Sequence, residues 1–234
     1  MSRLPALSSR HWGRVVDRLQ SAIREHIVPL DAIAALVPDG GVVLDLGCGQ
    51  GLLARRFAAR VERVVAVDFD PRKCQMARDG LALVPNVEVL TEDIGRFLDR
   101  IAKNSAQCVV IADTLSSFIS KEGQDALLAC AASALAPDGV LLLKFIDTSP
   151  TWKRAVSHAI SAVVYRGLRL SLSQDQQFLY RSRLDYKRVL EGLGFHVSEH
   201  LLHRTLHHPV PHVVLVARKP APRASNPCNT AGVE

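Results

Sequence analysis

The chain has 234 residues, 48% hydrophobic, 22% charged and 5% aromatic, a balance that excludes a disordered, collagen-like or disulfide-scaffold protein and suits one sizeable core. Its 29 basic and 23 acidic residues leave a formal charge of +6, which favours anionic partners without separating a nucleic acid from a small phosphorylated or carboxylated molecule. The five cysteines are odd in number and never form a C-x-x-C pair, so neither a disulfide framework nor a cysteine zinc site is indicated, and a reducing cytoplasmic setting is expected.

Met1 to Arg18 carries no continuous apolar stretch of the signal-peptide kind, and the longest apolar runs, near Val109 to Ala112 and Val140 to Leu143, are too short to span a bilayer. Within Ser8 to Leu36, Val15, Leu19, Ile23 and Ile27 recur at helical spacing and Pro29 marks a break, predicting a pair of helices; residues 1–40 are read as a unit that packs on or caps the core. From Val42 the pattern changes to short apolar runs, Val42–Leu46, Val64–Val67, Val87–Leu90, Cys108–Ala112 and Val140–Ile146, which predict five strands. A helix is expected after each of the first four, at Leu52–Arg60, Pro71–Asp79, Ile94–Lys103 and Lys121–Ala136, the second opened by Asp70-Pro71 and closed by Gly80. This alternation implies right-handed βαβ units and a parallel sheet covered on both faces, with ligands bound beyond the carboxyl ends of the strands.

After Ile146 the alternation stops. Residues 147–192 are expected to form a mainly helical insert, followed by two strands, Phe195–Leu202 and His212–Ala217, spaced for a hairpin; from Pro220 to Glu234 the composition predicts a disordered tail. The main domain is thus expected over residues 41–219.

The segment Val42-Val43-Leu44-Asp45-Leu46-Gly47-Cys48-Gly49-Gln50-Gly51 is an apolar strand running into a glycine-rich turn and a helix, the arrangement that lets a nucleotide approach backbone without meeting a Cβ. Its spacing is G-x-G-x-G, and Leu52 stands where a dinucleotide fingerprint needs its third glycine. Asp45, just before the turn, would repel a pyrophosphate but tolerate an ammonium and a sulfonium, which counts against NAD and favours S-adenosylmethionine. Cys48 reads as a small packed residue of the turn and not as a nucleophile.

These residues resemble the first motif of the class I S-adenosylmethionine-dependent methyltransferases, and the resemblance continues in order along about Asp31 to Lys144. It implies that Asp45, Gly47, Cys48, Gly49 and Gly51 surround the cofactor and that Asp68, ending Val64-Val65-Ala66-Val67-Asp68, receives the two ribose hydroxyls. It further implies that Phe69 lies against the adenine face, that Asp93 and Ile94 of Thr91-Glu92-Asp93-Ile94 meet the adenine edge, and that Asp113 of Ala112-Asp113-Thr114-Leu115 lines the methyl-donor pocket. Leu135-Ala136-Pro137-Asp138-Gly139-Val140-Leu141 resembles the family's turn into its fifth strand. The fold so implied is α/β, a Rossmann-like, doubly wound, seven-stranded, mostly parallel sheet with an antiparallel strand in the C-terminal hairpin.

Methyl transfer asks the protein to align donor and nucleophile and to exclude water; a catalytic base is optional, and the sequence selects none. On Thr151–Leu172, Val156, Ile160, Val163 and Leu168 form a helical stripe flanked by Lys153, Arg154, Arg166 and Arg169, read either as the wall of a pocket for a partly apolar, anionic, lipid-like or carrier-bound acceptor, or as an ordinary amphipathic helix with a solvated basic face. His158 and Tyr165 on the same stretch are candidate bases. His196, His200, His203, His207, His208 and His212 gather near the hairpin, but lack an H-x-x-x-H helix with a glutamate, so no metal is expected.

A small-molecule acceptor is the favoured reading. The alternative is RNA ribose 2′-O methylation, because Asp113 and Lys144 resemble two members of the Lys-Asp-Lys-Glu set of those enzymes; His212 or a neighbour stands where the final acid belongs, and Lys144 is equally readable as a snorkelling side chain. No N-P-P-Y run follows the fourth strand. A non-catalytic binding protein of the same fold is a third reading, against which the glycines and Asp68 argue.

Overall fold

A computed structural model of the chain describes residues 25, 28–118, 120–147, 179–202 and 212–221. The element order is α1 (Leu30–Ala34), β1 (Val42–Leu46), α2 (Ala54–Phe57) with a 3-10 turn (Ala58–Arg60), β2 (Arg63–Asp68), α3 (Pro71–Gly80), β3 (Val87–Thr91), α4 (Ile94–Arg100) and β4 (Ala106–Ala112). A second 3-10 turn (Leu115–Ser117), α5 (Lys121–Ala134), β5 (Leu135–Ile146), α6 (Arg183–Gly192), β6 (His196–Leu202) and β7 (His212–Arg218) complete it. Of the two helices expected within Ser8–Leu36, the one after Pro29 is α1, whereas nearly all of the one expected before it, the stripe with His158 and Tyr165, the histidines between Leu202 and His212 and most of the tail lie outside the described residues.

Seven strands form one sheet in the order β3-β2-β1-β4-β5-β7-β6. Pairings among β1 to β5 are parallel, whereas β7 runs antiparallel to both β5 and β6. The expected fold class is the observed one. The chain winds outward from β1 to β3, then returns to place β4 on the other side of β1, so the carboxyl ends of β1 and β4 diverge at a switch point, the crevice where open α/β sheets bind ligands.

Two apolar clusters, one on each face, hold the layers together, as strands buried on both sides require. Leu44, Leu46, Val109, Ile111, Leu141 and Leu143 pack with Phe97 of α4, Leu128 of α5 and Tyr186 of α6. The alternate positions Val43, Val64, Cys108, Val110 and Leu142 pack with Ile33 of α1, Phe57 of α2 and Ala77 of α3.

Helix starts follow local chemistry. Asp70 caps α3 by accepting from the Arg72 and Lys73 N–H groups at 2.9 and 3.4 Å, with Pro71 in the first turn. Ser120 and Ser182 cap α5 and α6 in the same way, accepting from Gly123 at 3.0 Å and Asp185 at 3.2 Å. Ends are where expectation and structure part: α4 stops at Arg100 because Ile101 is already extended (ψ 143°), and the stretch expected as a helix over Leu52–Arg60 is a four-residue helix tightening into a 3-10 turn.

Candidate functional site

The glycine turn after β1 is tied to the end of β2. The Gly47 and Cys48 N–H groups both donate to the Val67 carbonyl, at 2.7 and 3.1 Å, and the Gly49 N–H donates to Asp68 Oδ2 at 2.9 Å. Asp68 Oδ1 accepts from the Asp70 N–H at 2.9 Å, so two backbone donors fix a carboxylate that is only 6% exposed. Each oxygen keeps a further lone pair for a ligand hydroxyl.

The turn's glycines divide the work. Gly47 (φ +81°) abuts the β4 side of the crevice, where an added Cβ would meet Thr114 Oγ1 at 2.1 Å, and Gly51 backs onto Leu81 and Ala77. Among the described residues Gly49 (φ +55°) has nothing within 4 Å of the same position. Thr114, which sequence reasoning did not single out, is the counterpart of Gly47, and its hydroxyl donates to the Leu46 carbonyl at 3.1 Å.

The turn is electrically negative. Asp45, 2% exposed, is the penultimate residue of β1 and lies beside Ala66 and Val110 of the flanking strands. Burial first, and then the charges of Asp45 and Asp68, push the Cys48 thiol far above its ordinary range, leaving it neutral and a poor nucleophile.

The remaining candidates frame this turn less tightly. Phe69 follows Asp68 and is 67% exposed, a large apolar side chain presented to solvent at the strand's end. Asp93 is exposed and caps α4 by accepting from the Arg96 N–H at 3.1 Å, while Ile94 beside it is buried. Asp113 occupies the end of β4 with a left-handed backbone (φ +62°), uncommon outside glycine. It bonds to Lys144 of β5, which is 1% exposed and does not snorkel to solvent as its position in an apolar run allowed. A lone lysine inside a strand buried on both faces was itself the signal for a counter-ion at a neighbouring strand end.

His212 is buried at the start of β7 opposite Ile146 and Leu202. Among the described residues no helix is long and apolar enough to cross a membrane.

Residues 43–139 match the methyltransferase domain family. The chain is 29% identical over 161 residues to a ubiquinone biosynthesis O-methyltransferase of Xanthomonas axonopodis pv. citri, covering 64% of this chain and 62% of the relative. It is 39% identical over 70 residues to an rRNA adenine N-6-methyltransferase of Saccharopolyspora erythraea, covering 30% of this chain and 18% of that relative. The chain therefore spans less than two thirds of either curated relative. Among solved structures, the 1,6-didemethyltoxoflavin-N1-methyltransferase of Burkholderia thailandensis, holding 1,6-didemethyltoxoflavin and S-adenosylhomocysteine, shares the fold with a TM-score of 0.63 at 14% identity, over 94% of this chain and 93% of that one. With the strand–glycine turn–helix and the acid ending β2 both inside the matched segment, residues 43–139 carry a methyltransferase domain of the class I S-adenosylmethionine-dependent kind.

Proposed function

We propose that this protein transfers a methyl group from S-adenosylmethionine to a small-molecule acceptor in the cytoplasm. The observation that carries the reading is the negative, glycine-lined turn at the switch point. Burial first, and then Asp45 and Asp68, raise the Cys48 thiol, no described residue fills the space beside Gly49, and the Asp68 carboxylate is preset by two backbone N–H groups. Such a turn suits a cationic nucleoside and disfavours a pyrophosphate. S-adenosylmethionine supplies an electrophilic methyl on a positively charged sulfur: a nucleophile's lone pair bonds to the methyl carbon while the C–S electrons return to sulfur.

The chain's own groups bind and orient. Asp68 accepts from the two ribose hydroxyls, Phe69 covers the adenine, Asp93 and Ile94 meet its edge, and Asp45, Gly47, Cys48, Gly49, Gly51 and Asp113 surround the amino-acid and methyl-donor end. Acceptor contacts are assigned to residues 147–192, after the fifth strand, and residues 1–40 to capping the core.

A small acceptor is preferred to RNA in part because four of the described arginines are already engaged with carboxylates: Arg56 with Asp31 at 2.9 Å, Arg60 with Asp39, Arg63 with Glu88, and Arg100 with Glu92, each of these three at 2.5 Å. Arginines engaged with carboxylates are poor phosphate ligands. The Xanthomonas relative is named for ubiquinone biosynthesis and the Burkholderia neighbour holds the small molecule 1,6-didemethyltoxoflavin, while the rRNA enzyme matches over 70 residues only.

Calorimetry on the purified protein tests the reading. S-adenosylmethionine and S-adenosylhomocysteine are expected to bind and NAD not to, and Asp68→Ala to weaken both by about tenfold or more, as loss of a charged hydrogen-bond acceptor predicts. Unchanged affinity in Asp68→Ala rejects its assignment, and absence of binding to the wild type rejects the cofactor. Retention of the protein on mixed RNA with a steep salt dependence would move the acceptor to RNA.

A further inference from the structure

The carboxyl edge between β4 and β5 contains a buried ammonium. Lys144, 1% exposed, donates from Nζ to both carboxylate oxygens of Asp113, at 2.6 and 2.5 Å. A charge this deep is retained only beside a counter-charge, which the Asp113 carboxylate supplies. Asp113 is also held in place: its N–H donates to the Lys144 carbonyl at 2.9 Å, Ser116 Oγ donates to its carbonyl at 3.0 Å, and its backbone is left-handed at φ +62°. Strain maintained by several convergent bonds marks functional positions more than scaffold ones.

The pair also lies at the right border. Asp113 directly precedes Thr114, the residue against which Gly47 packs, and its side chain is 28% exposed although the lysine behind it is closed off. The carboxylate at the switch-point end of β4 is thus partly exposed while a buried cation on β5 backs it.

We propose that Lys144 is a positioning residue for the methyl donor: it fixes the Asp113 carboxylate at the edge of the crevice and tempers its charge, so that the pair limits how much more tightly the cationic donor binds than its neutral product. The inference rests on the S-adenosylmethionine reading above. The physical reason lies in the reaction's charge. Transfer disperses the positive charge on sulfur, so a fully uncompensated carboxylate beside it would stabilise the bound donor more than the transition state and slow the step. Asp45 and Asp68 already place two carboxylates at the turn, and a third with less cationic compensation would deepen that trap. Backed by an ammonium, Asp113 orients without over-binding.

The test compares affinities for S-adenosylmethionine and S-adenosylhomocysteine, measured by calorimetry on the full chain, and so needs no acceptor. In Lys144→Met the ratio of donor to product affinity is expected to rise about tenfold, through tighter donor binding with product affinity little changed. Lys144→Gln, which still donates a hydrogen bond to the carboxylate, is expected to shift the ratio the same way and keeps the test open where the Met variant fails to fold. The Asp113→Asn/Lys144→Met double variant removes both charges and is expected to return the ratio to within about threefold of wild type. A ratio unmoved in the single variants, or a parallel loss of both ligands, overturns this inference and leaves the cofactor reading standing. Failure of the wild type to bind either compound overturns both.

Discussion

The two glycines at the heart of the turn have opposite duties, and alanine at each separates them. Gly47→Ala places a Cβ at φ +81° against Thr114, with Oγ1 at 2.1 Å, Cγ2 at 2.6 Å and Cβ at 2.8 Å, all side-chain atoms of a residue anchored to the Leu46 carbonyl. A left-handed alanine costs about 1–2 kcal/mol and forced overpacking about 1–3 more, so the variant should lose roughly 2–5 kcal/mol. For a domain of this size that is a fall in Tm of about 4–20 °C. Among the described residues Gly49→Ala meets no atom within 4 Å at φ +55°, so what it bears is the backbone strain, about 1–2 kcal/mol. It should therefore melt only about 2–8 °C below wild type yet lose donor affinity by about tenfold or more, because its methyl fills the space over the turn. Urea and thermal unfolding beside calorimetric titration give both readouts. Adding Thr114→Ala to Gly47→Ala removes the two nearest clashing atoms and should restore about 1 kcal/mol or more beyond additivity. Equal destabilisation at the two glycines, or strict additivity with Thr114→Ala, refutes this division.

Two other sites yield independent expectations. Tyr186, 2% exposed and 4.8 Å from the Phe145 ring, donates its hydroxyl to Gln124 Oε1 at 3.0 Å, while Gln124 Nε2 donates to the Leu115 and Leu179 carbonyls at 2.9 and 3.0 Å. Tyr186→Phe strands that buried acceptor and should cost about 1–3 kcal/mol in urea unfolding. Burial pushes the Tyr186 phenol up, so between its unfolded value of about 10 and the folded one the native state keeps a proton that the unfolded state has lost; this contribution to stability is full below about pH 10 and declines as pH rises. The Phe variant should show a shallower alkaline decline, and identical slopes would dismiss Tyr186 as its source. At the turn, Cys48, raised by burial and by Asp45 and Asp68, should resist iodoacetamide in the native protein while the exposed Cys130 is labelled. Comparable labelling by mass spectrometry would show the turn to be less negative than argued.

What the sequence made legible and what it concealed divide along a physical line. Strands buried on both faces must be apolar throughout, so β1, β4 and β5 announced themselves as runs, and the break at Gly47 had to be a turn because no side chain suits that approach to Thr114. Asp70-Pro71 carried its own helix start, since cap and first-turn chemistry act within four residues. Helix ends were less visible: β5 begins at Leu135, directly after α5, because Leu135 pairs with Ala106 across the sheet, a partner that no local pattern reveals. The same holds for the site. Asp68 was readable because its duty is set by its own strand end, whereas the Lys144–Asp113 bond joins residues 31 apart, and the Tyr186–Gln124 bond residues 62 apart, through a strand order that only the assembled sheet defines. A buried charge within an apolar strand is therefore the most useful residue to question before a structure exists: it cannot stay unpaired, and its partner must come from the neighbouring strand's end, where the crevice lies.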